Sequence, residues 1–496
     1  VTHDMSIARR SPRVIRVVDG DTVSLICPED GMVSARLLGF DTPEKYAPKC
    51  LGEFLAAEKA SWHLRALIIG LTVAALMMTN LAIYVLHGDG LVLLRCLADG
   101  QLAAFLAEVP YRRRIERHDA AAVPVPATLP MGRRTAHAST QEAFGRVMGE
   151  LARSDLPIAA RIVTTSPDVT VSTGLAGWVG KRELFSRSDH EDVFRAEQVV
   201  SPTPWRENRT GQHLELGIAE NNLFLNLASL GLAHDLFGAR LLPIGTLYDP
   251  FIARGLDALN YACYQDARFL LVATPSGISL APEGGAHQSI GAPLIGISQP
   301  GLTSFEPAFA DEVAVMLHWA FQHLQAPDGG SVYLRLSTRQ IAQPERQMTT
   351  VLADSVLAGA YWLLAPEPGA ELSLVCSGAV APEALKALGA VREDIPGAGL
   401  LHVTSADRLD ADWRRRGRDG TAARLLAPLA DDAALVTVLD GHPATLSWLG
   451  AVHGHRVRAL GVDRFGQSAD LTDLYRTHRL DAGAILDACA AALLRA

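Results

Sequence analysis

The chain has 496 residues, enough for two to four domains, and its 49% apolar and 20% charged residues are ordinary globular composition, which excludes a disordered or fibrous protein. A formal net charge of −9 argues against a general nucleic-acid binder, which would be basic. The charge is uneven: residues 1–117 carry 14 Lys+Arg against 13 Asp+Glu, leaving 31 against 41 for the rest, so the acidic excess belongs to the later part.

Cys27, Cys50, Cys96, Cys263, Cys376 and Cys489 are widely separated, with no metal-ligand spacing, and read as reduced, mostly buried thiols. The first twenty residues hold four arginines and no apolar core, so no signal peptide is expected and a cytoplasmic location is. Residues 66–86 carry no charge and are long enough to span a bilayer. Asn80, basic flanks on both sides and the lack of a second span make a buried part of a small domain the preferred reading.

In chain order, residues 12–44 read as short strands separated by the turn signals Asp19-Gly20 and Pro28-Glu-Asp-Gly31, and residues 51–67 as a helix. Residues 118–138 contain three prolines within seven residues, which favours an extended spacer within a linker over 111–138. Ser139-Thr-Gln-Glu142 reads as a capping box opening an amphipathic helix. Strands are then expected at 162–165, 241–245, 269–273 and 332–336, with helices at 220–235, 250–264 and 309–324 between them. A second alternating set follows a break at 340–353, with strands near 372, 400, 434 and 457 and a final helix at 482–494. Such alternation predicts α/β domains with parallel sheets covered on both faces.

Five segments carry more than pattern: Ser166-Pro-Asp-Val-Thr-Val-Ser-Thr173, His213-Leu-Glu-Leu-Gly-Ile-Ala-Glu-Asn-Asn222, Tyr248-Asp-Pro-Phe251, Ala281-Pro-Glu-Gly-Gly-Ala-His-Gln-Ser289 and Gly461-Val-Asp-Arg-Phe-Gly-Gln-Ser468. In this order they resemble the homodimeric, transketolase-like decarboxylating component of pyruvate dehydrogenase, a thiamine-diphosphate-dependent family. The resemblance implies a transketolase-like pyrimidine-binding domain over 139–345 and a transketolase C-terminal-type domain over 346–496. It also implies oxidative decarboxylation of pyruvate with acyl transfer to the lipoyl group of an acyltransferase core.

By the same resemblance Glu220 is the buried carboxyl that activates the cofactor through its pyrimidine ring. The plainer alternative is a first-turn glutamate facing a helix dipole. Tyr248 and Phe251 would form a flat wall for the aminopyrimidine, although two aromatics at this spacing are also common core residues. His287, in a glycine-rich loop after a strand, would orient the 2-oxo acid or move its protons. Asp168 would lie near the thiazolium ring or simply form the turn after Pro167.

The family holds the cofactor's diphosphate and Mg²⁺ through a Gly-Asp-Gly motif followed by an Asn. Gly88-Asp-Gly90 is present, but no Asn occurs between 91 and 207, so no Mg²⁺-diphosphate site is assigned. The diphosphate-binding domain is expected from a complementing second chain, and a homodimer is the other association the resemblance implies. In its place, Val17-Val-Asp-Gly-Asp-Thr22 and Ala35-Arg-Leu-Leu-Gly-Phe-Asp-Thr-Pro-Glu44 resemble the staphylococcal-nuclease-like barrel. That likeness makes residues 1–110 a small, incomplete OB-like segment. It casts Asp21, Asp41 and the Thr42 carbonyl as a Ca²⁺ site, Arg36 as a phosphate clamp and Glu44 as the water-activating carboxylate.

The position of the family's second arginine, counted back from Ala98-Asp-Gly100, is Leu91. The segment is therefore read as vestigial, without a nucleic-acid partner. Two other readings stay open, a transketolase-like enzyme of another substrate and an inactive binding subunit. Losing one guanidinium from a phosphoryl-transfer site costs about 3–4 kcal/mol, so DNA cleavage should be at least about 10³-fold slower than in an intact nuclease of this kind. Leu91→Arg should raise the rate in a Ca²⁺-dependent cleavage assay, and ordinary cleavage by the unaltered chain would refute the reading.

Overall fold

The computed structural model describes residues 118, 120–188 and 205–494, together with the backbone of five short strands before them. The chain divides into two compact units, residues 1–116 and 117–496. In the first, β1 (Arg13–Val17), β2 (Thr22–Cys27) and β3 (Gly31–Arg36) form an antiparallel meander, and β4 (Leu86–His87) pairs with β5 (Gly90–Leu91). Asp21, Asp41, Thr42 and Glu44 lie outside the described residues, and of Arg36 only its place at the end of β3 is described. The apolar run 66–86 also lies outside them, except for Leu86 in β4. Among the described residues no helix is long and apolar enough to cross a membrane.

The second unit contains two layered α/β domains. The expected spacer does not stand free. Residues 123–131 run extended along the first core, where Leu129 is buried and Val123, Val125 and Met131 pack against it. The Gln325 side chain accepts from the Val123 N–H (2.6 Å) and donates to its carbonyl (3.2 Å), so an extended segment finds partners without joining a sheet. A two-residue strand, β6 (His137–Ala138), leads into helix α1 (Thr140–Arg153). Ser139 Oγ accepts from the Glu142 N–H (3.0 Å), whereas the Glu142 carboxylate turns to Arg146 and Gln340. Only the serine half of the capping box forms.

The larger sheet has eight parallel strands in the order β13-β14-β12-β11-β7-β10-β8-β9. Its members are β7 (Ile162–Ser166), β8 (Leu184–Phe185), β9 (Glu207–Asn208), β10 (His213–Glu215), β11 (Leu242–Leu247), β12 (Leu270–Ala273), β13 (Leu302–Phe305) and β14 (Ser331–Arg335). Helices α2 (Ala176–Arg182), α3 (Glu220–Gly231), α4 (Leu256–Tyr264), α5 (Ala292–Ser298) and α6 (Ala310–His323) follow in the same stretch of chain. Period-two alternation splits each strand between two cores. Leu270, Val272, Val332 and Leu334 pack under α1, α2 and α6, while Leu271, Ala273 and Tyr333 face α3 and α4.

After β15 (Ile341–Ala342), which pairs with β6, helix α7 (Thr350–Ala358) still packs on the first core. The second sheet follows, in the order β16-β18-β17-β19-β20, where β16 (Ala360–Leu364) is antiparallel to β18 (Gly399–Val403). Strands β17 (Ala370–Ser377), β19 (Leu429–Leu439) and β20 (Arg456–Leu460) run parallel. Helices α8 (Ala381–Asp394) and α12 (Ala482–Leu493) cover one face, α9 (Ala406–Arg416) and α10 (Thr421–Leu426) the other. Between β20 and α12 comes α11 (Leu471–Thr477). The described cysteines are free, with Cys376 and Cys489 buried and Cys263 partly so.

A buried polar cluster joins the two domains. Glu312 of α6 and His402 of β18, both fully buried, meet at 3.3 Å, while Tyr361 donates to Glu312 and Arg346 approaches it at 3.2 Å. The same Glu312 carboxylate accepts from the Ala308 and Phe309 N–H groups ahead of α6. Burial alone would raise the Glu312 carboxyl, but the charges of His402 and Arg346 more than offset this and hold it below its usual 4.5. Burial alone would lower His402, and Glu312 instead holds it above its usual 6.5.

The signs give a window. The His402 contribution is complete below pH 6.5 and is lost as pH rises through the folded value. The Glu312 contribution is complete above 4.5 and is lost as pH falls through its folded value. Glu312→Gln should therefore cost about 3–5 kcal/mol in urea denaturation, most between these two limits and less on either side. A difference independent of pH would show that the pair is not charged.

Candidate functional site

Parallel strands leave their carboxyl ends open to ligands, and the family-like motifs fall there. After β10, residues 216–219 lead into α3, whose first residue, Glu220, is buried at 7% exposure. After β11, Tyr248 begins a tight turn in which Asp249–Gly255 form 3-10 helix, with Pro250 early in it. Gly255 lets this turn touch α3: a Cβ there would lie 2.2 Å from the Phe224 ring. The approach brings Arg254 Nη1 to 2.5 Å from Glu220 Oε1.

The aromatic residues converge as well. Tyr248 and Phe251 stack with ring centroids 5.9 Å apart and planes 13° from parallel. The His287 ring meets the Phe251 ring edge-on at 5.3 Å. The Arg254 guanidinium lies over Phe251 at 3.8 Å, so one flat cationic group touches both the aromatic wall and the buried carboxylate. His287 is about one-third exposed, its Nε2 stands 4.0 Å from the Glu283 carboxylate, and its Nδ1 has no hydrogen-bond partner. Glu220, Tyr248, Phe251 and His287 thus form one cluster.

Asp168 is elsewhere. It is exposed in the turn after β7 with φ +64°, a left-handed conformation that Asp tolerates, and its N–H donates to Glu215 Oε1 at 2.8 Å. No hydrogen bond or ion pair joins its side chain to the other four residues. It belongs to a set in which Glu215 accepts from Thr170 (2.6 Å) and lies 3.4 Å from His213. Burial raises the Glu215 carboxyl, but His213, Thr170 and the Asp168 N–H outweigh it and lower the carboxyl.

Residues not singled out from the sequence hold the cluster in place. Asp249 is fully buried and accepts from Tyr333 Oη (2.6 Å), from Arg335 Nε (3.0 Å) and from Ser289 Oγ in a close contact. It therefore ties the Tyr248–Phe251 turn to the His287 loop and both to β14. Arg335 also meets Glu306 at 2.5 Å, and Asp440 at the end of β19 accepts from the Ile278 N–H at 2.8 Å. Burial pushes the Glu306 carboxyl up to about 7; Arg335 opposes this and Asp440 and Asp249 reinforce it.

The motif at 461–468 closes the same loop. Ser468 Oγ donates to the Pro282 carbonyl (2.7 Å), and Gln288 Nε2 donates to the Gln467 carbonyl (3.1 Å). A signal for Arg335 was present, since a lone arginine in the apolar strand Val332-Tyr-Leu-Arg-Leu must be paired when buried. Asp249 lay inside a motif valued only for its aromatic residues.

Asp249 accepts from three buried donors, those of Tyr333, Arg335 and Ser289, so Asp249→Asn should destabilise the chain by about 3–5 kcal/mol in chemical denaturation. Adding Arg335→Met should cost less than the two single effects summed, because the Asp249–Arg335 interaction can be lost only once. Simple additivity of the two substitutions would argue against the coupling.

Comparison with known proteins bears on the fold and on the likeness of the chain as a whole. Residues 126–339 match the model of the pyruvate dehydrogenase E1 component middle domain. The pyruvate dehydrogenase E1 component of Mycolicibacterium smegmatis is 28% identical over 294 residues, 57% of this chain and 30% of the relative. That of Corynebacterium glutamicum is 27% identical over 383 residues, 72% of this chain and 40% of the relative. The chain thus spans between about a third and two-fifths of the length of these relatives. Among solved structures, transketolase from Leishmania mexicana superposes with a TM-score of 0.59 at 18% identity, covering 89% of this chain and 54% of its own. Transketolase from Campylobacter jejuni gives 0.55 at 15%, covering 72% and 48%. The fold is transketolase-like, and within it residues 126–339 are similar to the middle domain of the pyruvate dehydrogenase E1 component.

Proposed function

We propose that residues 139–345 form the pyrimidine-binding part, and residues 346–496 the C-terminal-type domain, of a thiamine-diphosphate-dependent pyruvate dehydrogenase decarboxylating component. The convergence of Glu220, Tyr248, Phe251 and His287 at the strand ends carries the reading. The residues suit the cofactor's aminopyrimidine. Arg254, a flat N–H-bearing group, already stacks on Phe251 and bonds to Glu220, and a flat heterocycle with a ring nitrogen would make the same two contacts once Arg254 turns away. Its side chain is half exposed and has room to do so.

When bound, thiamine diphosphate supplies the carbon nucleophile that takes up the acyl group of a 2-oxo acid as CO₂ leaves. Glu220 holds a proton at the pyrimidine ring nitrogen, and Tyr248 and Phe251 keep water from the ring face. His287, with Nδ1 unpartnered, donates or accepts a proton at the oxo group. Mg²⁺ and the diphosphate are assigned to a complementing chain, and the acyl acceptor is the lipoyl group of an acyltransferase core. Asp168 is placed toward the thiazolium side by resemblance alone.

A second reading, an inactive binding subunit, draws support from the Arg254–Glu220 pair, which fills the cofactor face with a side chain. Turnover of pyruvate rather than a ketose phosphate separates the first reading from a transketolase of other substrate.

The assay is CO₂ release from labelled pyruvate with an artificial electron acceptor. The chain alone should be inactive, and a complementing chain bearing the diphosphate-binding domain should restore turnover. In that mixture Glu220→Gln should nearly abolish turnover, because an amide cannot hold the required proton. His287→Ala should lower it by about 10²- to 10⁴-fold, the range for a positioned acid–base group. Full activity with Glu220→Gln would overturn the assignment, and failure of every complementing chain would favour the inactive subunit.

A further inference from the structure

A groove of about 840 Å³ lies away from the aromatic cluster, between the loop leading into the start of β13, the loop before β14 and helix α9. Arg408 lines it, close to the start of α9. Its guanidinium carbon stands 4.7 Å from the Trp319 ring centroid and 5.8 Å from that of Phe305. Trp319 in turn stacks on His323, one helical turn along α6, at 4.3 Å and 15°. The result is a row of Arg408, Trp319 and His323 in contact through their planar groups.

Every outward polar group of this stack is a donor without an acceptor. Among the described residues no hydrogen bond or ion pair engages the Arg408 guanidinium, whose contacts are the two aromatic rings. Trp319 can only donate. His323 Nε2 accepts from the Gly330 N–H at 3.1 Å, which leaves the ring proton on Nδ1. Burial, and then the Arg408 charge, lower the His323 pKa, while Asp328 opposes the shift.

Of the carboxylates that line the groove, Asp328 acts on His323 by its charge alone, while the two beside Arg408 on α9 are engaged with other groups. Asp407 accepts from the Ser304 N–H at 3.0 Å, and burial pushes its carboxyl up to about 6 although the Arg408 charge opposes this. Asp412 is taken by Arg415, Arg416 and the Thr421 N–H. The charges of Asp407 and Asp412 reach the Arg408 guanidinium without touching it, and a partly desolvated guanidinium with no carboxylate in contact is the costly half of an ion pair. Its planar fork matches two oxygens of a tetrahedral anion.

We propose that this groove is an anion site in which Arg408, braced by Trp319, binds a phosphate group, with His323 Nδ1 as a further donor. The ligand is inorganic phosphate or the phosphoryl end of a small organic phosphate, and the groove volume lies in the range of small-molecule sites. The site is independent of the thiamine-diphosphate reading, since none of its residues belongs to the aromatic cluster.

The test is isothermal titration of the purified full chain with inorganic phosphate and, separately, with glycerol 3-phosphate, against sodium chloride at matched ionic strength. Saturable binding at one site per chain is expected for at least one phosphate, weakened at least about tenfold by Arg408→Ala. Arg408→Lys keeps the charge and the stacked stem and serves as the folding-safe variant, with binding expected between the two. Arg476→Ala, on α11, should change nothing. Binding of inorganic phosphate alone would identify the free ion as the ligand, and stronger glycerol phosphate binding the organic class. No saturable binding, equal competition by chloride, or affinity unaffected by both Arg408 substitutions would overturn the proposal.

Discussion

A guanidinium buried to 2% exposure cannot be left without acceptors, and much of the site follows from that requirement at Arg335. Arg335 and Tyr333 are two residues apart on β14, so both point to the face covered by α3 and α4, and both donate to Asp249. Asp249 is one residue from Tyr248 and two from Phe251. Its third partner, Ser289, is two residues from His287. One buried ion pair therefore sets the separation of the aromatic wall from the histidine loop. Three carboxyl groups share this single cation, and burial with mutual repulsion raises Glu306 to about 7, which relieves the excess negative charge.

The pairing of the two domains rests on similar physics applied to different residues. Glu312 caps α6 through two backbone N–H groups and reaches His402 of the second sheet, so one carboxylate serves both a helix end and a domain contact. Asp440 reaches from β19 to the Ile278 N–H, beside the segment that carries His287. The loop at 461–468 then binds the same segment through Gln288 and Ser468. Because the second domain supports the histidine loop, its role extends beyond covering apolar surface.

Arg254 occupies a telling place between Glu220 and Phe251. A cation over an aromatic face beside a buried carboxylate is stable by itself, yet each contact is one that a flat heterocycle with ring nitrogens could make. The same chemical economy appears at Arg408, where a planar cation rests on Trp319 but lacks an anionic partner. In the first case the side chain's partners are complete, and in the second they are not.

Much of the fold was legible in the sequence because parallel strands buried on both faces read as short apolar runs such as Leu270–Ala273 and Leu372–Cys376, and helices declare themselves by spacing and caps. The motif residues Glu220, Tyr248, Phe251 and His287 were recognisable one by one, since each stands in a local pattern. Less was legible where partners are distant in the chain. The stretch 120–138 carries prolines that fit a free spacer, but only the first core shows that Val123, Val125 and Leu129 have a surface to cover. Asp249 and Arg335, 86 positions apart, carry no local sign that they pair. Their partnership arises only when β11 and β14 place their carboxyl ends on either side of β12. Sequence alone thus determined the alternation of elements and the identity of the chemical groups. Tertiary structure decided which charges neutralise each other, because burial makes an unpaired charge costly and only the folded chain says which groups are buried together.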